Sequence, residues 1–148
     1  MRHHEFWEAM MNPLLRPVLA VLSGVIASGL VVAAIEMLGH SLFMNGAPMP
    51  STTDPSAVNA YSESLGFGVL VSLLIAWCAG AYVGSMVAMR IARGDEKRSS
   101  MVIGGFVLAG AVMNFFQFPH PAWLMVSAVI LIPVCAWLAI RRSTKVAP

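Results

Sequence analysis

The sequence predicts an all-α integral membrane protein, a four-transmembrane-helix bundle with both termini on one side of the bilayer. Three observations carry this. Of 148 residues, 58% are hydrophobic and only 11% are charged, whereas soluble domains sit near half and a quarter. Four runs, at about 17–38, 66–89, 101–118 and 122–140, approach or meet the ~18–20 apolar residues that a span needs. The nine basic residues are sorted: Arg2 and Arg16 before the first run, Arg90, Arg93, Lys97 and Arg98 between the second and third, and Arg141, Arg142 and Lys145 after the fourth. Residues 39–65 and the "FPHPA" turn hold no Lys or Arg. Positive charge stays on the cytoplasmic side, so the sorting predicts both termini and the 90–100 loop inside, with 39–65 and 119–121 outside. The localisation expected is a bacterial inner membrane, crossed several times, with the outer loops in the periplasm.

Nearly the whole chain is span plus connection, which leaves one membrane domain, 17–148, behind a cytoplasmic segment, 1–16. In "MRHHEFWEAMMNPLLR", Phe6, Trp7, Met10, Met11 and Leu14 share one helical side and Glu5, Glu8 and Asn12 another. That pattern suits a short helix lying in the interface. The first run opens with Pro17, acceptable in a first turn. It is longer than the 7–15-residue core of a signal peptide and holds Glu36, so it reads as a retained helix. Gly29, Ala33, Glu36 and His40 fall on one stripe. Small residues allow close helix approach in lipid, so this stripe is expected to face the bundle, provided that the helix continues through Gly39.

The outer loop, 41–65, is broken by Pro and Gly in its first half. In "TDPSAVNAYSESL" a short helix is expected, with Asp54 as N-cap and Pro55 at the first helical position. The second run carries the clearest packing signal: Ala76, Gly80, Gly84 and Ala88 are each four residues apart, which points to packing against the first or third span, or to a homodimer seam. "RIARGDEKRSS" reads as a solvated turn. The third run places Gly110, Asn114 and Gln117 on one stripe. The fourth has Trp123 and Trp137 near its ends, as interfacial belts require, and Pro133, where a kink is expected. Cys78 and Cys135 fall within spans and read as packing residues, not as a structural disulfide.

The first and third spans run in the same direction, so Glu36, His40, Asn114, Gln117 and His120 gather at the outer side. Two readings are open: Glu36 and His40 pair with Asn114 or loop amides and fasten the first span to the third, or the cluster is a shallow polar pocket, with Phe115, Phe116, Phe118 and Trp123 as walls. No acid or base stands in the inner half of any span, which counts against proton-coupled transport. Catalysis has no support, since no nucleophile neighbours a base and no paired-carboxylate set is present. A minority reading is copper: Met37, His40, Met44 and His120, with Met49 and Met113, offer thioether and imidazole donors that suit Cu(I). Eleven Met scattered along the chain fit ordinary membrane packing better, and no metal site or other cofactor is assigned.

"IEMLGH" after the first span, the Asp-initiated outer helix and "FPHPAW" between the third and fourth resemble an uncharacterised family of small four-helix bacterial inner-membrane proteins. The family combines an E-x3-H motif with a P-H-P-x-W turn. The resemblance implies a bacterial four-span protein and carries over no activity. Two functions are expected. One is an interaction protein, an accessory subunit of a larger membrane complex or a homo-oligomer. The other is a binding or transport module for a lipid head group, quinone or small polar ligand through Glu36, His40, Asn114 and His120. The partners are the lipid bilayer and other membrane proteins, with no role for nucleic acid.

Overall fold

A computed structural model describes residues 15–44, 51, 53–92 and 95–144. Among them are five α-helices and no strand: α1 (Leu15–Met44), α2 (Pro55–Ser64), α3 (Phe67–Ala92), α4 (Glu96–Gln117) and α5 (Ala122–Thr144). All but α2 are long and apolar enough to cross a membrane. The expected interfacial helix at 1–14 and the loop residues 45–50 lie outside the described residues.

α3 is the hub. It packs on α1, α4 and α5, while among the described residues the α1 backbone packs on α3 and, less extensively, on α4. The α1–α3 pair is the closest in the molecule, and its side chains explain why. Gly24, Ser28 and Ala20 are buried on α1, opposite Gly80, Gly84 and Ala88 on α3. A Cβ added at Gly84 would stand 2.6 Å from the Gly24 carbonyl oxygen, and one at Gly24 would stand 2.8 Å from that of Gly84. The two backbones meet because neither carries a side chain there. Gly80 and Gly84 are therefore occupied within the chain, by α1.

The face of α1 that packs differs from the expected one. Gly29 and Ala33 are exposed, and a Cβ at Gly29 would meet nothing within 4 Å. The buried stripe is Ala20, Gly24, Ser28 and Gly39. Gly39 does not end the helix. It is buried where a side chain would run into Ser72 of α3, so its role is close approach, and α1 continues to Met44. The connection to α2 is shorter than the sequence suggests.

α4 also begins earlier than expected, at Glu96. "EKRSS" is helical because Ser99 and Ser100 are buried and bonded. The Ser100 hydroxyl donates to the Ala136 carbonyl of α5 at 2.9 Å, and Ser85 of α3 donates to the Ser100 carbonyl at 3.3 Å. Buried hydroxyls with carbonyl partners fasten helices at little desolvation cost. α5 likewise runs past Ile140 to Thr144. The apolar core lies among Trp77 and Ala81 of α3, Val107 and Ala111 of α4, and Ala128 and Ile132 of α5. Trp123 and Trp137 are both partly exposed near the ends of α5; Trp123 stacks on Phe67 at 5.4 Å, and the Arg141 guanidinium sits 4.1 Å over Trp137. Cys78 and Cys135 are free thiols that approach each other across α3 and α5.

The helices alternate in direction, so the bundle has two unlike ends. One holds Arg16, whose Nε donates to the Ile91 carbonyl at 3.0 Å, together with the start of α4 and the end of α5. The other holds the end of α1, the 118–121 turn and α2.

α2 forms as expected. The Asp54 carboxylate accepts from the Ser56 hydroxyl at 2.7 Å, from the Ser56 amide at 3.0 Å and from the Ala57 amide at 3.3 Å, with Pro55 opening the helix. These bonds, the hydroxyl of Ser56 first, hold the Asp54 carboxyl below its ordinary value and satisfy two amides that a helix start leaves without partners. No other helix approaches the α2 backbone closely among the described residues. α2 is held by side chains: Val58 is buried and Tyr61 half-buried.

Candidate functional site

Beneath α2 lies a cavity of about 570 Å³, within the range of small-molecule sites. Each wall follows from helical spacing. α1 supplies Ala33, Glu36, Met37, His40 and Ser41; α3 supplies Val69, Ser72 and Leu73, with Leu65 from the end of α2; α4 and the turn after it supply Asn114, Phe118 and His120; Tyr61 of α2 roofs the cavity. Ala33, Met37 and Ser41 line it although they are exposed, Met37 to 73%. They form a lip, so the cavity opens on the side of the bundle between α1 and α4, the helix pair with the looser contact.

Glu36 is half-buried, and the Trp77 indole N–H donates to its carboxylate. Trp77 is 5% exposed, so this is a core residue turning its one polar atom to the cavity's acid. Ser72 is satisfied internally, its hydroxyl donating to the Val69 carbonyl at 2.7 Å.

His40 Nδ1 and the Tyr61 hydroxyl stand 3.4 Å apart. Tyr61 in turn faces Phe118 at a ring separation of 6.3 Å. Burial raises the Tyr61 phenol above its ordinary value of 10.0, so it stays protonated. His120 is fixed by its backbone: Nδ1 lies 2.6 Å from the Phe118 carbonyl oxygen. A carbonyl only accepts, so Nδ1 carries the hydrogen and Nε2 is the acceptor in the neutral ring. Burial pushes the His120 pKa below 6.5, opposed by that carbonyl bond, and the ring is neutral at pH 7.

The structure thus brings Glu36, His40, Asn114 and His120 around one space, together with Phe118. Gln117 is exposed and stands outside it. Phe115 does not line the cavity; it stands behind, edge-on to both Trp77 and His120 at 5.6 and 5.5 Å. Trp123 is engaged with Phe67 instead, and Phe116 is 86% exposed. Of the thioether and imidazole donors, Met37, His40 and His120 line the cavity and Met44 does not. Among the described residues no three His, Cys, Asp or Glu side chains converge on a point that could hold a metal ion. Sequence reading missed Tyr61, Trp77, Ser72 and Leu73. For Val69, Ser72 and Leu73 a signal existed, one helical face aligned beneath the outer loop.

Comparison with protein-family models, curated proteins and solved structures gives no match to this chain.

Proposed function

We propose that this protein is a binding module of a bacterial inner membrane that takes the polar end of a membrane-dissolved amphiphile into the cavity beneath α2. One observation carries the reading: a cavity of about 570 Å³, open at the side of the bundle, in which the acid within α1 meets Asn114, two imidazoles and a tyrosine. An ionisable residue inside a spanning helix is costly to keep, and its usual justification is a site. The walls divide by chemistry. Leu65, Val69, Leu73, Met37 and Phe118 suit a hydrocarbon chain, and Glu36, His40, Asn114 and His120 suit a head group. The sorted basic residues support an orientation with both termini cytoplasmic, which puts the cavity at the periplasmic side.

An accessory-subunit or homo-oligomer role draws less support. Gly80 and Gly84, the seam such a partner would use, are packed against Gly24 and Ser28 of α1. Gentle-detergent purification followed by native mass spectrometry tests the two readings. A binding module retains a bound amphiphile, and Leu73→Trp, which fills the cavity, loses it. A protein that carries no adduct and migrates with a larger complex overturns the binding reading.

A further inference from the structure

The charges around the cavity are one-sided. Between Arg16 and Arg90, and again between Arg98 and Arg141, the chain has no Lys or Arg. The cavity and everything over it fall in those two stretches. The same stretches contain Glu36, Asp54 and Glu63. Of the two imidazoles that line the cavity, His120 is held neutral by burial. Glu36 accepts from the Trp77 indole, a neutral donor, and His40, one helical turn on, is engaged with the Tyr61 hydroxyl at 3.4 Å. A phosphate or carboxylate head group entering here would meet a carboxylate and no Lys or Arg. Like charges within a poorly solvated site repel strongly, and opposite charges attract by the same amount. The walls add a second feature. Tyr61 and Phe118 stand side by side at 6.3 Å and both line the cavity. Aromatic faces attract cations, most of all weakly hydrated ones such as quaternary ammonium groups.

We propose that the cavity selects positively charged amphiphiles, a hydrocarbon chain bearing an amine or quaternary ammonium group, with the Glu36 carboxylate as counter-ion and Tyr61 and Phe118 as the aromatic wall. This rests on the binding reading above and narrows it to one class of head group. A neutral alcohol of equal chain length fills the same apolar volume without the charge attraction, and an anion is disfavoured.

The test uses the full chain in nanodiscs of zwitterionic lipid and three probes of closely matched chain length: dodecyltrimethylammonium, dodecanol and dodecanoate. Binding is the probe retained beyond that of empty nanodiscs. The wild type is expected to hold the ammonium probe about tenfold more tightly than the alcohol, equivalent to ~1.4 kcal/mol, and the anion most weakly. Glu36→Gln keeps the shape and an acceptor for the Trp77 N–H, and should bring ammonium and alcohol to equal affinity. Ser41→Lys, at the exposed lip, leaves Glu36 in place and should weaken the ammonium probe while strengthening dodecanoate; this variant decides the matter if Glu36→Gln does not fold. Equal binding of all three probes by the wild type overturns the charge selectivity and leaves amphiphile binding standing. So does an ammonium preference that survives in folded Glu36→Gln, or one that Ser41→Lys leaves undiminished. If the wild type retains none of the three, amphiphile binding itself is overturned.

Discussion

His120 shows how a single backbone bond sets the chemistry of the site. Its Nδ1 is committed to the Phe118 carbonyl, and burial holds the ring neutral, so it presents an acceptor to the cavity. The same shift couples to stability. The folded pKa lies below the unfolded value of 6.5, so between the two values the unfolded chain binds more protons and stability drops as pH falls. The stabilisation is complete above 6.5 and is lost as pH drops toward the depressed folded value. Thermal unfolding in detergent should therefore weaken from pH 7 to pH 5, and His120→Gln should flatten that slope. Asp54, with its carboxyl held below 3.8, loses its contribution only at more acidic pH and does not interfere. An unchanged slope in His120→Gln would show that the ring is solvated. At this scale Glu36, His40 and Asn114 were legible from their i,i+4 or helix-end positions. Trp77 was not, because one polar atom in an apolar run leaves no periodic trace. Gln117 shares a stripe with Asn114 yet is exposed outside the cavity, and Trp123 belongs to α5, which lines no part of it and turns the indole to Phe67.

Helices α1 and α3 are joined by absent side chains more than by present ones. Gly24, Gly80 and Gly84 each have neighbouring atoms within 2.9 Å of where a Cβ would stand. Leucine at Gly84 would have to push Gly24's backbone aside, and overpacking of this kind costs about 1–3 kcal/mol or more. Gly29, on the same helix as Gly24, has open space around it. Gly84→Leu should lower the unfolding midpoint and the yield, while Gly29→Leu leaves both close to wild type. Equal effects from the two would mean that α1 is rotated from the orientation described. The small-residue ladder of α3 was plain in the sequence. Its counterpart on α1, Ala20, Gly24 and Ser28, repeats the same spacing of four. Glu36 and His40 drew the reading to a neighbouring stripe, because polar residues were expected to share the packed face, whereas here they flank it and leave room for the cavity. The starts of α4 and the end of α1 were misjudged for a related reason: Ser and Gly read as breaks in isolation, yet Ser99, Ser100 and Gly39 are buried contacts with α5 and α3.

The whole molecule is a four-span bundle whose two ends differ in charge. Among the described residues, one end holds Arg16, the start of α4 and the end of α5, and the other holds a roofed cavity. α1, at 30 residues, spans about 45 Å at 1.5 Å per residue, longer than the ~30 Å apolar slab, and near its far end His40 meets Tyr61 of α2. Span number and connection order were legible because length and hydropathy dominate in lipid. The polar lining of the cavity was legible as well; its volume was not, since that depends on how far α1 and α4 stand apart, which no local pattern encodes. Reporter fusions at residues 55 and 95 should give opposite compartments, with 95 cytoplasmic; a cytoplasmic signal at 55 would invert the bundle. The claim that the cavity receives an amphiphile from the membrane is tested most directly by photo-crosslinking from Leu73, inside the cavity, against Leu30, which is 67% exposed on the outer surface of α1. A photoreactive side chain at 30 should capture bulk phospholipid in proportion to its abundance. At 73 it should capture one amphiphile far above its share of the membrane, and Glu36→Gln should reduce that yield. Capture of bulk lipid in the same proportions at both positions, or of nothing at 73, would contradict the account.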